Sequence, residues 1–207
     1  MDLDKTNVYQ FGTSAKGSHA KIISLVGKGK KVLDVGCNKG YLSQRFKENG
    51  CMVVGMEGDA DCANIARKFC DDVITVDVEQ INTLTYPEGY FEVIVFADVL
   101  EHLKEPKNVL LKLKRYLNHS GFVIVSLPNI ARLDIRIKLL FGNFDYEEAG
   151  IMDKTHLHFY TLFSAKRLLT DCGFQILKVD YTGELAKFMI FPTLTSFQFI
   201  ITAKKVK

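Results

Sequence analysis

A chain of 207 residues, 47% hydrophobic and 25% charged, can bury one substantial core, which excludes a wholly disordered chain and suggests one domain, or one domain with a small appendage. Its formal net charge of +3 is mild, and the basic clusters at 28–31 and in the closing AKKVK carry no interleaved aromatics, so no nucleic-acid partner is expected. Five cysteines without a CxxC pair indicate neither a disulfide framework nor a zinc ribbon; with no signal-peptide order and no apolar run of membrane-spanning length, the expectation is a cytoplasmic protein without stable membrane insertion.

At the N-terminus, Tyr9 and Phe11 precede a short amphipathic helix containing His19, Ile22, Ile23 and Leu25, read as a helical cap over 1–29. From Lys30 onward, the apolar runs KKVLDVG, CMVVGME, DVITVDV, FEVIVFADV and GFVIVSLP alternate with amphipathic segments, the rhythm of βαβ units around a parallel sheet. The first connector, YLSQRFKENG, sets Leu42 and Phe46 one turn apart and closes at Gly50. The second runs from Asp61 to Cys70, with Ala63, Ile65, Ala66 and Phe69 turned inward. The third starts at Pro106, repeats Val109, Leu110, Leu113 and Leu117, and stops before Gly121.

The last third changes character. A helix over ARLDIRIKLLF leads into a long irregular stretch, then a helix over SAKRLLTDCG; the region 130–163 reads as a lid or substrate insert, because long loops beside a compact sheet tend to be functional. FQILKVDYTG and SFQFIITAKKV read as closing strands on either side of ELAKFMIFPTL, which has no clear pattern.

The chemistry begins in VLDVGCNKG. A strand, a glycine-containing turn and a helix bring backbone N–H groups to the carboxyl edge of a sheet, where open α/β folds bind ligands. Gly36 and Gly40 permit close approach, and Asn38 between them is the non-glycine residue that best tolerates the left-handed region. Asp34, inside the strand, would repel a pyrophosphate and welcome a cation; this sign favours S-adenosylmethionine, with its sulfonium and amino group, over NAD. Glu57, ending the second strand, suits the ribose hydroxyls, and Asp77 with the Val78 backbone suits the adenine.

VLDVGCNKG, VVGMEGD, ITVDV and FEVIVFADVLEHL, in that order, resemble the successive motifs of class I S-adenosylmethionine-dependent methyltransferases over roughly residues 15 to 207. The resemblance implies a Rossmann-like three-layer α/β sandwich with a seven-stranded, mostly parallel sheet whose last strand is antiparallel. It implies cofactor contacts from Asp34, Gly36, Cys37, Asn38, Gly40 and Tyr41, then Glu57, Gly58 and Asp59, then Asp77 and Val78, and from Ala97 and Asp98. S-adenosylhomocysteine would be the product. The stretch LPNIARLDIRIKLLFGNFDYEEAGIMDKTHLHFYT is similar to a segment of methyltransferases encoded with glycosyltransferases of bacterial surface polysaccharides, and its TH is similar to a turn in quinone-precursor O-methyltransferases. A small-molecule or sugar-linked acceptor, methylated at oxygen, is the implied substrate.

On the acceptor side, His156 is the first candidate for a general base and His158 the second, with Asp153 three residues upstream of His156. No metal is expected, since an HxH pair with one nearby carboxylate is a thin ligand set. His102 is expected to shape the loop after the fourth strand. Asn129, Arg132 and Tyr160 are candidate pocket residues; if Arg132, Arg136 and Lys138 faced the pocket, they would suit a phosphorylated or carboxylated acceptor. Two other functions fit such a sheet: an NAD-dependent oxidoreductase and a noncatalytic S-adenosylmethionine-binding module. Oligomeric state stays open, a homodimer included.

Overall fold

Seven strands form one sheet: β1 (Lys31–Val35), β2 (Met52–Glu57), β3 (Asp72–Thr75), β4 (Phe91–Ala97), β5 (Leu117–Pro128), β6 (Phe174–Tyr181) and β7 (Gln198–Lys205), in the spatial order β3-β2-β1-β4-β5-β7-β6. This is a computed structural model that describes residues 17–183 and 191–206. The first five strands run parallel, while β7 lies antiparallel between β5 and β6. The order reverses beside β1, which pairs with β2 on one side and β4 on the other; ligands of open α/β sheets bind at that switch point. The expected seven-stranded sandwich is therefore present.

Because β1 is covered on both faces, Val32, Leu33 and Val35 are all buried, with Val32 packing to one side and Leu33 and Val35 to the other. On the first side lie α1 (Ser18–Val26), α2 (Tyr41–Glu48) and α3 (Ala60–Ala66), closing over Val32, Val53, Val93 and Ile124. On the second lie α4 (Pro106–Lys114) and α6 (Leu162–Asp171), over Leu33, Ile94, Val123 and Phe199. Asp34 shares the face of Val32 and is 1% exposed, a carboxyl group set into an apolar layer.

Several boundaries differ from the sequence-based expectation. The third connector helix ends at Lys114, and Leu117, expected to belong to it, opens β5 and pairs with Phe91. Gly121 explains why the strand wins: a Cβ there would stand 2.7 Å from the Glu92 carbonyl oxygen, so the bare backbone lets β5 lie close against β4. α3 stops at Ala66, and Ile65, expected inside, is exposed. β3 ends at Thr75, so Asp77 lies in the turn beyond it.

In the last third, α5 (Leu133–Leu140) buries only Ile135 and leaves Leu133, Ile137, Leu139 and Leu140 exposed. A short α7 (Pro192–Thr195) covers the end of the segment that had no clear pattern; 184–190 of it, and Tyr9 and Phe11 of the N-terminal cap, lie outside the described residues. Among the described residues, no helix is long and apolar enough to cross a membrane.

Candidate active site

The turn after β1 adopts the conformation its residues permit. Gly36, Asn38 and Gly40 have φ of 68°, 49° and 81°, all in the left-handed region, before α2 begins at Tyr41. Asn38 supports its own turn, its Oδ1 accepting from Lys39 N at 2.7 Å. Gly36 N and Cys37 N both donate to the Met56 carbonyl, at 2.8 and 3.0 Å, which ties the turn to the tip of β2. Glu57 completes the join: one carboxylate oxygen accepts from Asn38 N at 2.8 Å and the other from Asp59 N at 2.9 Å. A Cβ on Gly36 would sit 2.7 Å from a Val99 methyl, so the turn also packs directly on the segment following β4.

These elements enclose a first cleft of about 230 Å³ lined by Asp34, Gly36, Cys37, Asn38, Tyr41, Leu42 and Glu57 from one side. Ala97, Asp98, Val99, His102 and Leu103 form the other side, and α1 contributes His19. Among the described residues, three carboxyl groups and no lysine or arginine are in this lining. Asp34 is the most telling of the three. Burial pushes its pKa up to about 7, against the pull of the Ser43 hydroxyl, which donates to it at 2.6 Å, and with a further push from Glu57. A carboxyl group held half-protonated near neutrality is one that a cation will ionise. The donor set therefore fits a sulfonium and ammonium ligand and disfavours a pyrophosphate.

The expected adenine side is arranged differently. Asp59 caps α3, accepting from Cys62 N at 2.9 Å. Asp77 closes its own turn, accepting from Glu79 N at 3.0 Å and Gln80 Nε2 at 3.2 Å, and faces a separate surface hollow with Lys104 and Lys112. A Cβ at Gly58 would lie 3.6 Å from Asp77 Cα, so the two turns touch, but Gly58, Asp59, Asp77 and Val78 stand outside the lining of the first cleft. Gly40 is likewise outside it and acts through its backbone at the N-cap of α2.

A second cleft of about 320 Å³ adjoins the first and shares His19, Asp98 and His102 with it. Asp98, at φ 56°, points its Oδ1 at Ser126 Oγ and Gln198 Nε2, both 2.8 Å away. The remaining walls include Glu101, Pro128, Gly150, Asp153 and His156, drawn from three separate stretches of chain. His156 is buried, its Nδ1 3.2 Å from the Ile151 carbonyl, which fixes Nδ1 as the protonated nitrogen and leaves Nε2 as a lone pair. Burial and the neighbouring His102, whose ring centroid is 4.8 Å away, hold the His156 pKa below the ordinary imidazole value. Asp153 is pushed up by burial but held below the usual carboxylate range overall by hydrogen bonds from Thr155 Oγ1 and N.

The other acceptor-side candidates stand behind these walls. His158 Nε2 lies 3.2 Å from the Lys104 carbonyl, and its ring lines neither cleft. Asn129 is fully buried, donating to the Thr193 and Ser196 carbonyls and accepting from Ala131 N; it pins the end of β5 to α7. Arg132 pairs with Asp134 at 3.0 Å over the Phe197 ring, while Arg136 donates to the Ala131 carbonyl and Lys138 pairs with Glu147. None of these cations lines the second cleft, which removes their support for an anionic acceptor. Tyr160 packs in the main core. Sequence reasoning missed Glu101 and Gln198. Glu101 had a usable signal, a carboxylate next to His102 in the loop after β4; Gln198 had none, because only the antiparallel register of β7 brings it to Asp98.

Residues 18–179 match a family described as a methyltransferase domain. A ubiquinone biosynthesis O-methyltransferase of Pseudomonas aeruginosa (strain LESB58) is 33% identical over 105 residues, covering 49% of this chain and 45% of its own length. Its counterpart in Glaesserella parasuis serovar 5 is 34% identical over 110 residues, covering 49% and 46%. The chain thus spans a little under half the length of the curated relatives it matches. A SAM-dependent methyltransferase from Archaeoglobus fulgidus shares the fold with a TM-score of 0.68 at 19% identity, covering 91% of this chain and 95% of that one. A structure described as a putative methyltransferase from Bacillus halodurans C-125 does so at 0.69 and 15%, covering 92% and 99%. The matched region carries most of the sheet and the glycine turn with its buried acid: the chain belongs to the class I S-adenosylmethionine-dependent methyltransferases, and S-adenosylmethionine is its cofactor.

Proposed function

We propose that the chain transfers a methyl group to a hydroxyl oxygen of a small molecule, free or glycan-linked, held in the second cleft. The observation that carries this is the meeting of the two clefts at Asp98 and His102, with the neutral Nε2 of His156 in the second. S-adenosylmethionine supplies an activated methyl on a sulfonium. Asp34 ionises against its cationic end, the 36–40 turn offers backbone groups, and Glu57 is the ribose acceptor. Ala97 and Asp98 border the junction with the second cleft, where the acceptor is positioned for in-line attack.

His156 takes the hydroxyl proton as the methyl arrives, and the Ile151 carbonyl holds its ring in the receiving tautomer. His158, Asn129, Arg132 and Tyr160 then act one layer out, shaping the insert. No metal enters this scheme. The relatives named as ubiquinone biosynthesis O-methyltransferases favour oxygen as the methylated atom. The chain is read as one unit over 1–207, with 1–29 as cap and 130–163 as substrate insert. Both clefts form within one copy, so a homodimer is compatible but not required. A cytoplasmic setting suits the free thiols at Cys37, Cys51, Cys62, Cys70 and Cys172.

The test is methyl transfer from labelled S-adenosylmethionine to a panel of sugars, phenols and acyl-linked hydroxyls. His156→Ala should spare S-adenosylhomocysteine binding and cut turnover by roughly 10²–10⁴-fold. Full turnover in that variant would remove His156 as the base. Cofactor binding with no product across the panel, and loop histidines replaceable without effect, would favour the noncatalytic module.

A further inference from the structure

Glu101 is 1% exposed, yet neither of its carboxyl oxygens has a hydrogen-bond partner among the described residues. Its carbonyl accepts from Leu157 N at 2.8 Å and His158 N at 3.0 Å, so the residue is firmly placed while its side chain is left unsatisfied. Buried polar atoms without partners cost roughly 1–3 kcal/mol each, so an orphaned pair in a cleft wall calls for a bound group or a catalytic role to explain it. The side chain lines the second cleft, and one of its oxygens, one His102 nitrogen and one His156 nitrogen lie within 4.8 Å of one another. Neither Glu101 oxygen hydrogen-bonds a histidine, and the three groups are close enough for one oxygen atom of a bound molecule to touch more than one of them.

The charges around Glu101 decide its form. Asp98 and Asp153 face it, His102 and His156 stand beside it, and Tyr160 packs close by; among the described residues, no lysine or arginine lines the cleft. Burial, and after it the Asp98 carboxylate, raise the Glu101 pKa well above the ordinary glutamate value. A carboxylic acid in that state has one O–H to give and a carbonyl oxygen that accepts, which matches a hydroxyl group on both counts. An anion there meets two flanking carboxyl groups and, among the described residues, no lysine or arginine.

We propose that the orphaned carboxyl group of Glu101 hydrogen-bonds a hydroxyl of the acceptor beside the one that His156 faces, so that the second cleft selects neutral hydroxyl-bearing molecules over anionic ones. The proposal rests on the acceptor assignment of that cleft made above. The same three atoms would suit a divalent cation only with Glu101 ionised, which makes its protonation state the deciding quantity.

The infrared difference spectrum between the wild-type protein and Glu101→Gln at pH 7 isolates the carbonyl stretch of this one side chain. The expected result is a protonated-acid band that shifts on adding glycerol and is unmoved by the same concentration of acetate. Glu101→Leu, which removes both orphaned oxygens, should melt no lower than the wild type, keeping the comparison free of a folding defect. A carboxylate band in place of the acid at pH 7, a band unmoved by glycerol, or retention of one Mg²⁺ or Zn²⁺ per chain with loss of the acid band would overturn the proposal. Methyl transfer is not read in this experiment, so a failure of the transferase assignment shows separately, as an absence of product with the acid band intact.

Discussion

Asp34 sits where burial works against its charge, and the consequences can be measured. Its carboxyl keeps a proton up to about pH 7 in the folded chain, against 3.8 as the ordinary value, so the folded state binds the proton more tightly. The stability this gives is fully present below pH 3.8 and is lost as pH rises through 7. Asp34→Asn should therefore raise the melting temperature of the cofactor-free protein at pH 8 relative to wild type, while weakening S-adenosylhomocysteine binding by more than tenfold. His156 has the opposite sign: its pKa is lowered, so it is neutral and able to accept a proton well into mildly acidic solution. With cofactor saturating, the rate of methyl transfer should climb with pH along a limb set below the ordinary histidine value, and His156→Ala should remove that limb from the profile.

At the scale of elements, the glycine turn and the helix caps carry testable weight. Gly36→Ala places a Cβ 2.7 Å from a Val99 methyl at φ 68°, so both the backbone and the packing are strained. A loss of about 1–3 kcal/mol in denaturant unfolding is expected, with a larger fractional loss of cofactor binding because the turn shapes the first cleft. Thr161 opens α6 with a reciprocal cap, its Oγ1 accepting from Ser164 N at 3.2 Å while Ser164 Oγ accepts from Thr161 N at 3.0 Å. Thr161→Ala should cost about 1 kcal/mol by the same measurement and leave cofactor affinity unchanged. The strands were legible because buried parallel strands are apolar on both faces, and β1, β2 and β4 are so throughout apart from Asp34 and a few edge positions. The boundary between α4 and β5 was not legible, since Leu117 continues the helical apolar repeat; the close backbone approach at Gly121 settles it, and that depends on β4 lying alongside.

Across the whole molecule, the two clefts differed in how far local sequence could foretell them. Most of the first is built from the turn after β1 and the tips of β2 and β4, each a short contiguous motif, and Asp34, Gly36, Cys37, Asn38, Tyr41, Glu57, Ala97 and Asp98 all line it. The second gathers residues 17–19, 98–102, 128, 149–156 and 197–198, and no local pattern records that meeting. Hence Arg132, Asn129 and Tyr160, chosen for their types, stand behind its walls, whereas Glu101 lines it. Saturation with S-adenosylhomocysteine at 100 times Kd should stabilise the fold by about 2.7 kcal/mol, a rise in melting temperature of roughly 5–11 °C for a chain of this size.

The most direct test is a calorimetric titration of S-adenosylhomocysteine into the wild-type protein and Asp34→Asn at pH 6 and pH 8, in buffers of different ionisation enthalpy. Wild-type binding should tighten from pH 6 to pH 8 and release a proton at the lower pH, and Asp34→Asn should bind weakly with no pH dependence. Equal affinity in the two proteins, or tight binding of NAD with no response to S-adenosylhomocysteine, would contradict the assignment of the first cleft.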